Sequence, residues 1–174
     1  MIHDDHVALI RDGLDATNGT WADFGSGTGA FTLALADLLG PEGHIYSVDR
    51  DRHALRQQER SMTACFPATS ITFVAADFLT PLVLPPLDGM VMANALHFHG
   101  DHVGVIRKVR PYLRAGGRLI LVEYNTHRGN HWVPHPLTFT DWEAVALAAG
   151  YRKTRLLATR PSSFLGEIYA AVSE

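Results

Sequence analysis

Five short apolar runs follow one another along the chain, TWADF (20–24), HIYSVD (44–49), SITFVAAD (70–77), GMVMANAL (89–96) and RLILVEY (118–124), with mostly helical patterns between them. In AFTLALADLLG (30–40), Phe31, Leu35 and Leu38 recur at helical spacing, and Gly40-Pro41 stops the pattern. DRHALRQQERSMTACF (51–66) and HVGVIRKVRPYL (102–113) read as further helices, the second bending near Pro111, whereas PLVLPPLDG is too rich in proline for either regular element. Repeated crossovers between strands of one sheet are right-handed and leave those strands parallel. The alternation therefore predicts an α/β fold with a doubly wound sheet covered on both faces.

The tail breaks the pattern. TDWEAVALAAG (140–150) predicts a helix with Thr140 as N-cap and Glu143 completing a capping box. YRKTRLLAT and FLGEIYAAV then read as two strands joined by a short turn at residues 160–163, and so brief a join makes them antiparallel. No Ser/Gly-rich linker divides the 174 residues, a length that suits one domain. Within it, 1–18 is expected to form a short N-terminal helix, 20–124 the ligand-binding units, 125–139 a loop able to act as a lid, and 140–174 a helix plus hairpin.

Charge narrows the function classes. A net charge of -3 leaves no basic footprint for nucleic acid. The densest basic cluster, Arg107, Lys108, Arg110 and Arg114, reads as a solvated helix face. One cysteine, Cys65, makes neither an internal disulfide nor a thiolate metal site. No apolar run is long enough to span a membrane, and the opening MIHDDHVALIRDGL lacks the charge pattern of a secretion signal. A cytoplasmic protein without membrane or nucleic-acid partners is expected.

Between the first strand and its helix lies DFGSGTGA, in which Gly25, Gly27 and Gly29 alternate. Glycines at a strand-to-helix turn let a ligand lie against backbone, and the following helix aims N–H groups at it. With strand order 3-2-1-4-5, the crevice opens between the first and fourth strands, bordered by this turn and by Asn94–His99. Gly25, Gly27 and Ala30 formally satisfy a dinucleotide fingerprint, with Asp49 placed as the ribose-binding acid. Against a dinucleotide stand Asp23, which repels a pyrophosphate and welcomes an ammonium, Asp77 at the third strand end, and only about 100 residues beyond it for a substrate domain.

In this combination the chain resembles the class I S-adenosylmethionine-dependent methyltransferases, over roughly residues 20 to 172. ADFGSGTGAFTLALA looks like their first motif, HIYSVDRD like the acidic end of their second strand and VAADF like their adenine-side motif. LDGMVMANALHFHGD resembles the fourth-strand motif of their small-molecule branch, and YLRAGGRLILVEY their fifth strand. The resemblance implies a Rossmann-like seven-stranded sheet, order 3-2-1-4-5-7-6 with strand seven antiparallel, and S-adenosyl-L-methionine as cofactor. It also implies site roles: Gly25, Gly27 and Gly29 under the methionine part, Asp23 near its ammonium, and Asp49 on both ribose hydroxyls. Arg50 would flank the adenine, Asp77 and Phe78 would bond it, and Asn94 and Ala95 would face the methionine and the methyl.

A sulfonium methyl is already activated, so the protein's task is to position the acceptor and, for a hydroxyl, to remove a proton. Histidine is the natural base near neutral pH, and HFHGDH supplies His97, His99 and His102 beside the expected methyl site. His97 and His99 are the candidate catalytic residues; Glu123, Tyr124 and Asn125 at the fifth strand end are candidate substrate contacts. His97, His99, Asp101 and His102 carry zinc-type donors, but closely spaced histidines often occur without metal, and no metal is expected. His127, His131 and His135 are spaced by four, yet Gly129, Pro134 and Pro136 argue against one helical face.

The resemblance departs from the family at two places. No Asn/Asp-Pro-Pro-aromatic motif follows the fourth strand, where NALHF stands, which disfavours amino-group methylation of DNA bases. The segment before the first strand is short, so the acceptor site is expected to be open or completed by a second subunit, as in a homodimer. The reading is in-line methyl transfer to a small-molecule acceptor. The alternatives are an NAD(P)-dependent oxidoreductase, for which no tyrosine–lysine helical pair is seen, and a non-catalytic nucleoside-binding regulatory subunit.

Overall fold

Each central strand of this protein feeds two cores at once. In the computed structural model, which describes residues 1–174, the strands are β1 (Gly19–Phe24), β2 (Gly43–Asp49), β3 (Ser70–Ala75), β4 (Leu87–Ala93), β5 (Leu113–Tyr124), β6 (Thr154–Ser162) and β7 (Gly166–Ser173). The helices are α1 (His3–Ile10), α2 (Ala30–Leu39), α3 (Arg52–Cys65), α4 (His102–Val109) and α5 (Phe139–Ala148). Alternate side chains of a strand leave opposite faces of a sheet. Phe24, Met90, Met92, Leu119, Leu121 and Tyr169 accordingly enter one core with Val105 and Ile106 of α4 and Trp142 of α5. Trp21, Val91, Ile120, Val122 and Ile168 enter the other with Val7 of α1, Leu35 of α2 and Met62 of α3. Burying each large apolar side chain contributes about 1.5–3 kcal/mol. A sheet covered on both faces explains why β4 and β5 read as unbroken apolar runs rather than as alternations.

The seven strands are ordered β3-β2-β1-β4-β5-β7-β6, parallel from β3 to β5, with β7 antiparallel to both β5 and β6. This is the expected order. β2 lies on one side of β1 and β4 on the other, so the order reverses beside β1, and a crevice opens there past the carboxyl ends of the strands.

Several boundaries differ from expectation, each for a local reason. β4 ends at Ala93, before the expected Leu96, because Asn94 turns left-handed (φ 51°) and Leu96–Phe98 form a 3-10 turn. α4 ends at Val109; Pro111 then sits inside a 3-10 turn at Arg110–Tyr112. α5 begins one turn-residue pair earlier than read: Thr138, not Thr140, is the N-cap, and its capping box closes on Asp141. The gain is Phe139, whose ring meets buried Tyr169 edge-on at 5.9 Å. The hairpin turn lies at 163–165 rather than 160–163, because Pro161 is still paired with Glu167. β6 is the sheet edge, where a residue without an N–H is tolerated. The basic cluster is also more engaged than a solvated face: Arg107 donates to Ala148 O at the end of α5, Arg110 lies over the Tyr151 ring, and Arg114 pairs with Asp88. No helix is long and apolar enough to cross a membrane.

Candidate active site

The glycine turn is built by three left-handed residues in alternation, Gly25 (φ 75°), Gly27 (φ 53°) and Gly29 (φ 94°). It is tied to the neighbouring strand: Gly25 and Ser26 N–H donate to Val48 O at 2.9 and 3.2 Å, and Gly27 N–H donates to Asp49 Oδ2 at 2.7 Å. The three glycines do different things. A Cβ on Gly25 would lie 2.7 Å from Ala95 Cβ, and one on Gly29 would lie 2.4 Å from Gln58 Cγ. At Gly27 a Cβ meets nothing within 4 Å, because it would project into open space. Gly27 keeps the crevice clear; Gly29 lines neither part of it and serves the close packing of α2 on α3.

The crevice has two adjoining lobes that share Gly25, Gly27, Asp49, Asn94 and Phe98. The larger, about 470 Å³, is also lined by Arg50, Asp51, Asp77, Phe78, Ala95 and His99. The smaller, about 380 Å³, is lined by Asp23, Ser26, Thr28, Ala30 and Phe31 around the start of α2, and by His6 of α1. The three strand-end acids therefore converge on one space, as the spacing predicts, but in unlike surroundings.

Asp23 is 1% exposed, and its Oδ2 accepts from Thr32 Oγ1 at 2.6 Å. Burial pushes its carboxyl up to about 7; the Thr32 hydrogen bond opposes this and the Asp49 charge adds to it. Asp49 is half-buried at the junction of the lobes, each of its oxygens already holding a backbone N–H, Gly27 on Oδ2 and Asp51 on Oδ1 at 2.8 Å. A carboxylate has further lone pairs, so two more donors can be accepted. Asp77 Oδ1 receives Leu79 N–H at 2.8 Å, and Phe78 stacks on Phe24 at 6.0 Å.

Asn94 borders both lobes. Its left-handed backbone is unusual for a non-glycine, and its Oδ1 is sealed from solvent with no hydrogen-bond partner. An orphaned acceptor beside a glycine turn kept free of side chains is what a bound polar ligand would complete.

The histidines separate. His99 lines the larger lobe with its ring edge-on to Phe78 at 5.7 Å, and burial holds it below the usual histidine value against the opposing pull of Asp77. It lines only the larger lobe, and Asp23 only the smaller. His97 lines neither lobe. Its side chain is 3% exposed, and Nδ1 lies 2.7 Å from Glu123 Oε2. A carboxylate only accepts, so Nδ1 carries the hydrogen, and in the neutral ring Nε2 is then the acceptor. Nε2 makes no hydrogen bond, yet it is absent from the polar atoms sealed away from solvent.

Glu123, expected as a substrate contact, is fully buried and serves the turn after β4. Its Oε1 receives the Leu96 and His97 N–H groups at 3.1 and 3.2 Å. Asn125 is likewise occupied within the fold, donating to Glu167 Oε1 and accepting from Phe139 N–H. Tyr124 is half-buried beside His97 and borders neither lobe. Residues 125–138 form no helix, and the His135 N–H donates to His97 O at 3.0 Å, which ties this loop to the same turn. Sequence reasoning missed the buried polar group behind the glycines, where Ser47 Oγ lies 2.8 Å from both Gln58 Oε1 and Ser26 Oγ. It also missed His6 and Phe98; a lone histidine in an N-terminal helix and a phenylalanine between two histidines carry no distinguishing spacing. No three His, Cys, Asp or Glu side chains are grouped to hold a metal ion.

A family model described as a methyltransferase domain matches residues 16–149, from before β1 to the end of α5. The chain belongs to this methyltransferase family. Among its relatives is a protein of Thermoplasma volcanium described as a probable cobalt-precorrin-6B C(15)-methyltransferase (decarboxylating), 27% identical over 115 residues, covering 66% of this chain and 55% of the relative. The methyltransferase chain spans about half the length of the curated relatives it matches. Among solved structures it is similar to the YcgJ protein of Bacillus subtilis, with TM-score 0.78, 13% identity and 98% of both chains covered. It is also similar to the magnesium protoporphyrin IX methyltransferase of Synechocystis, solved with bound SAM, with TM-score 0.69, 18% identity, and 99% of this chain and 78% of that one covered. At such identities these two likenesses concern the fold.

Proposed function

We propose that this chain binds S-adenosylmethionine in the two-lobed crevice and transfers its methyl group to a small-molecule acceptor, with His97 as the general base. The observation that carries the reading is the buried Asp23 carboxyl in the smaller lobe, beside the start of α2. Burial holds the Asp23 carboxyl up at about 7; an ammonium favours its ionised form and supplies the countercharge that form lacks, whereas a pyrophosphate there would oppose ionisation. The orphaned Asn94 Oδ1 adds an acceptor for the same amino-acid end.

The remaining contacts follow from the lining. Asp49 sits where the two ribose hydroxyls of a nucleoside spanning both lobes would lie, and Asp77 and Phe78 offer the larger lobe an acceptor and an aromatic face. Arg50 borders the same lobe, and Ala95 keeps its wall thin. When bound, the sulfonium supplies an electrophilic methyl that leaves with its sulfur retaining the bonding pair. The chain's own part is to align the acceptor and take its proton. Glu123 fixes the His97 ring and its tautomer, so that Nε2 is the nitrogen able to receive that proton. His99 is not proposed as the base, since it lies toward Asp77.

Asp49→Asn tests the cofactor half. The substitution keeps the shape but exchanges one acceptor oxygen for a donor, removing charge-assisted bonds each worth about 1.5–3 kcal/mol. S-adenosylhomocysteine affinity should fall at least tenfold by calorimetry, with the circular dichroism spectrum unchanged. Affinity equal to the wild type would place the nucleoside elsewhere.

A further inference from the structure

Five residues border both lobes of the crevice: Gly25, Gly27, Asp49, Asn94 and Phe98. A nucleoside with its adenine by Asp77 and its amino-acid end by Asp23 has its sulfur at this junction, because the sulfur joins ribose to the amino-acid chain. Four of the five already have a task. Gly25 admits Ala95 at close range, Gly27 keeps the crevice clear, Asp49 suits the ribose hydroxyls, and Asn94 Oδ1 awaits a donor. Phe98 has none. It belongs to neither hydrophobic core and is 58% exposed, so packing does not account for it. Its position is nonetheless fixed. Glu123 Oε1 receives the N–H groups of the two residues before it, His135 N–H donates to His97 O, and the buried His97 ring lies beside it at 4.4 Å, its plane tilted by 49°.

We infer that Phe98 recognises the positive charge of the cofactor, its ring meeting the sulfonium in a cation–π contact at the junction of the lobes. The inference rests on the methyltransferase reading above and gives that site a specificity-determining residue. A leucine would line the junction as well as a phenylalanine does. What the phenyl ring adds is a negative face, which attracts a cation within about 6 Å of its centroid. Nothing at the junction competes for the role, since no cationic side chain borders both lobes. His6, the basic side chain of the smaller lobe, is held below the usual histidine value by burial and stays neutral at neutral pH. The contact also separates reactant from product. As the methyl carbon bonds to the acceptor, its bond to sulfur breaks with the electron pair left on sulfur, and a neutral thioether remains. The ring therefore holds the charged reactant and loses its hold on the product. An interaction strongest before reaction does not speed the chemical step, so Phe98 serves the choice and exchange of cofactor.

S-adenosylmethionine and S-adenosylhomocysteine differ only by the methyl and its charge, so their separate affinities are the test. Both are titrated by calorimetry, without acceptor, into the wild type, Phe98→Leu and Phe98→Tyr. Phe98→Leu keeps an apolar side chain and removes the ring. It should weaken S-adenosylmethionine at least fivefold, about 1 kcal/mol, and change S-adenosylhomocysteine by less than about twofold. Phe98→Tyr keeps the ring and should leave both affinities within about twofold of the wild type. Since Phe98 lies outside both cores, the circular dichroism spectrum of either variant should match the wild type. Equal weakening of the two nucleosides in Phe98→Leu would make the ring a matter of shape, and no weakening of either would place the sulfonium elsewhere. A loss in Phe98→Tyr selective for S-adenosylmethionine and as large as in Phe98→Leu would show that the ring is not what is recognised. Each of these overturns the inference while the methyltransferase reading stands. Failure of both nucleosides to bind the wild type overturns the parent reading instead.

Discussion

Asp23 and His97 are two buried ionisable residues with opposite arrangements, and each makes a prediction of its own. Asp23 has one hydroxyl donor and no cation, and its carboxyl is raised from 3.8 to about 7 by burial, partly offset by Thr32. Because the native state then holds a proton that the unfolded chain has lost, stability falls as pH rises from about 4 to about 7 and levels off above. Over that window Asp23 alone accounts for a loss on the order of 4 kcal/mol, three pKa units at ~1.4 each. An ammonium ligand favours the ionised form, so binding at pH 6 should release close to one proton. Calorimetry of S-adenosylhomocysteine in buffers of different ionisation enthalpy measures this, and Asp23→Asn should abolish the release. At His97, the Glu123 contact fixes the hydrogen on Nδ1. Nitrogen-15 NMR should show that tautomer in the wild type and the opposite one in Glu123→Gln, whose amide offers a donor to Nδ1. The Nε2–H form in the wild type would remove His97 as a base.

At the scale of elements, the glycine turn separates packing from function. Gly29→Ala drives a Cβ to 2.4 Å from Gln58 Cγ at a left-handed φ of 94°, so it should lower the unfolding free energy by about 2–3 kcal/mol. Gly27→Ala carries only the left-handed cost, about 1–2 kcal/mol, since nothing lies within 4 Å, but its methyl enters the crevice. Thermal melts and ligand titrations should therefore rank the two variants in opposite order; a Gly27→Ala protein that binds S-adenosylhomocysteine as the wild type does would show that the ligand avoids this turn. These elements were legible in sequence because they rest on local pattern: the three glycines, the strand-end acids, the apolar runs. Boundaries were less so. TFTDWE offers two capping boxes, Thr138–Asp141 and Thr140–Glu143, and the packing of Phe139 on Tyr169, a contact 30 residues away in sequence, decides for the first.

For the whole molecule, the parallel strands followed from handedness and the antiparallel hairpin from the brevity of the last connection, while the strand order followed from the family resemblance. The three acids lining the crevice were legible as well, since each strand end contributes its own. The contacts of His97 with Glu123, Tyr124 with Phe164, and His135 with the turn after β4 were not legible, because these residues meet only in the fold. Glu123 and Asn125 looked like substrate contacts for the same reason; position at a strand end is visible in sequence, but the burial that occupies their polar atoms is not. The proposed function stands on the two lobes holding a sulfonium nucleoside and not a dinucleotide. Parallel calorimetric titrations of the purified chain with S-adenosylhomocysteine, NAD and NADP test it most directly. S-adenosylhomocysteine should saturate the site with a Kd in the micromolar range, about 8 kcal/mol of binding free energy, and neither dinucleotide should saturate it at millimolar concentration. Saturation by NAD or NADP, with none by S-adenosylhomocysteine, would contradict it.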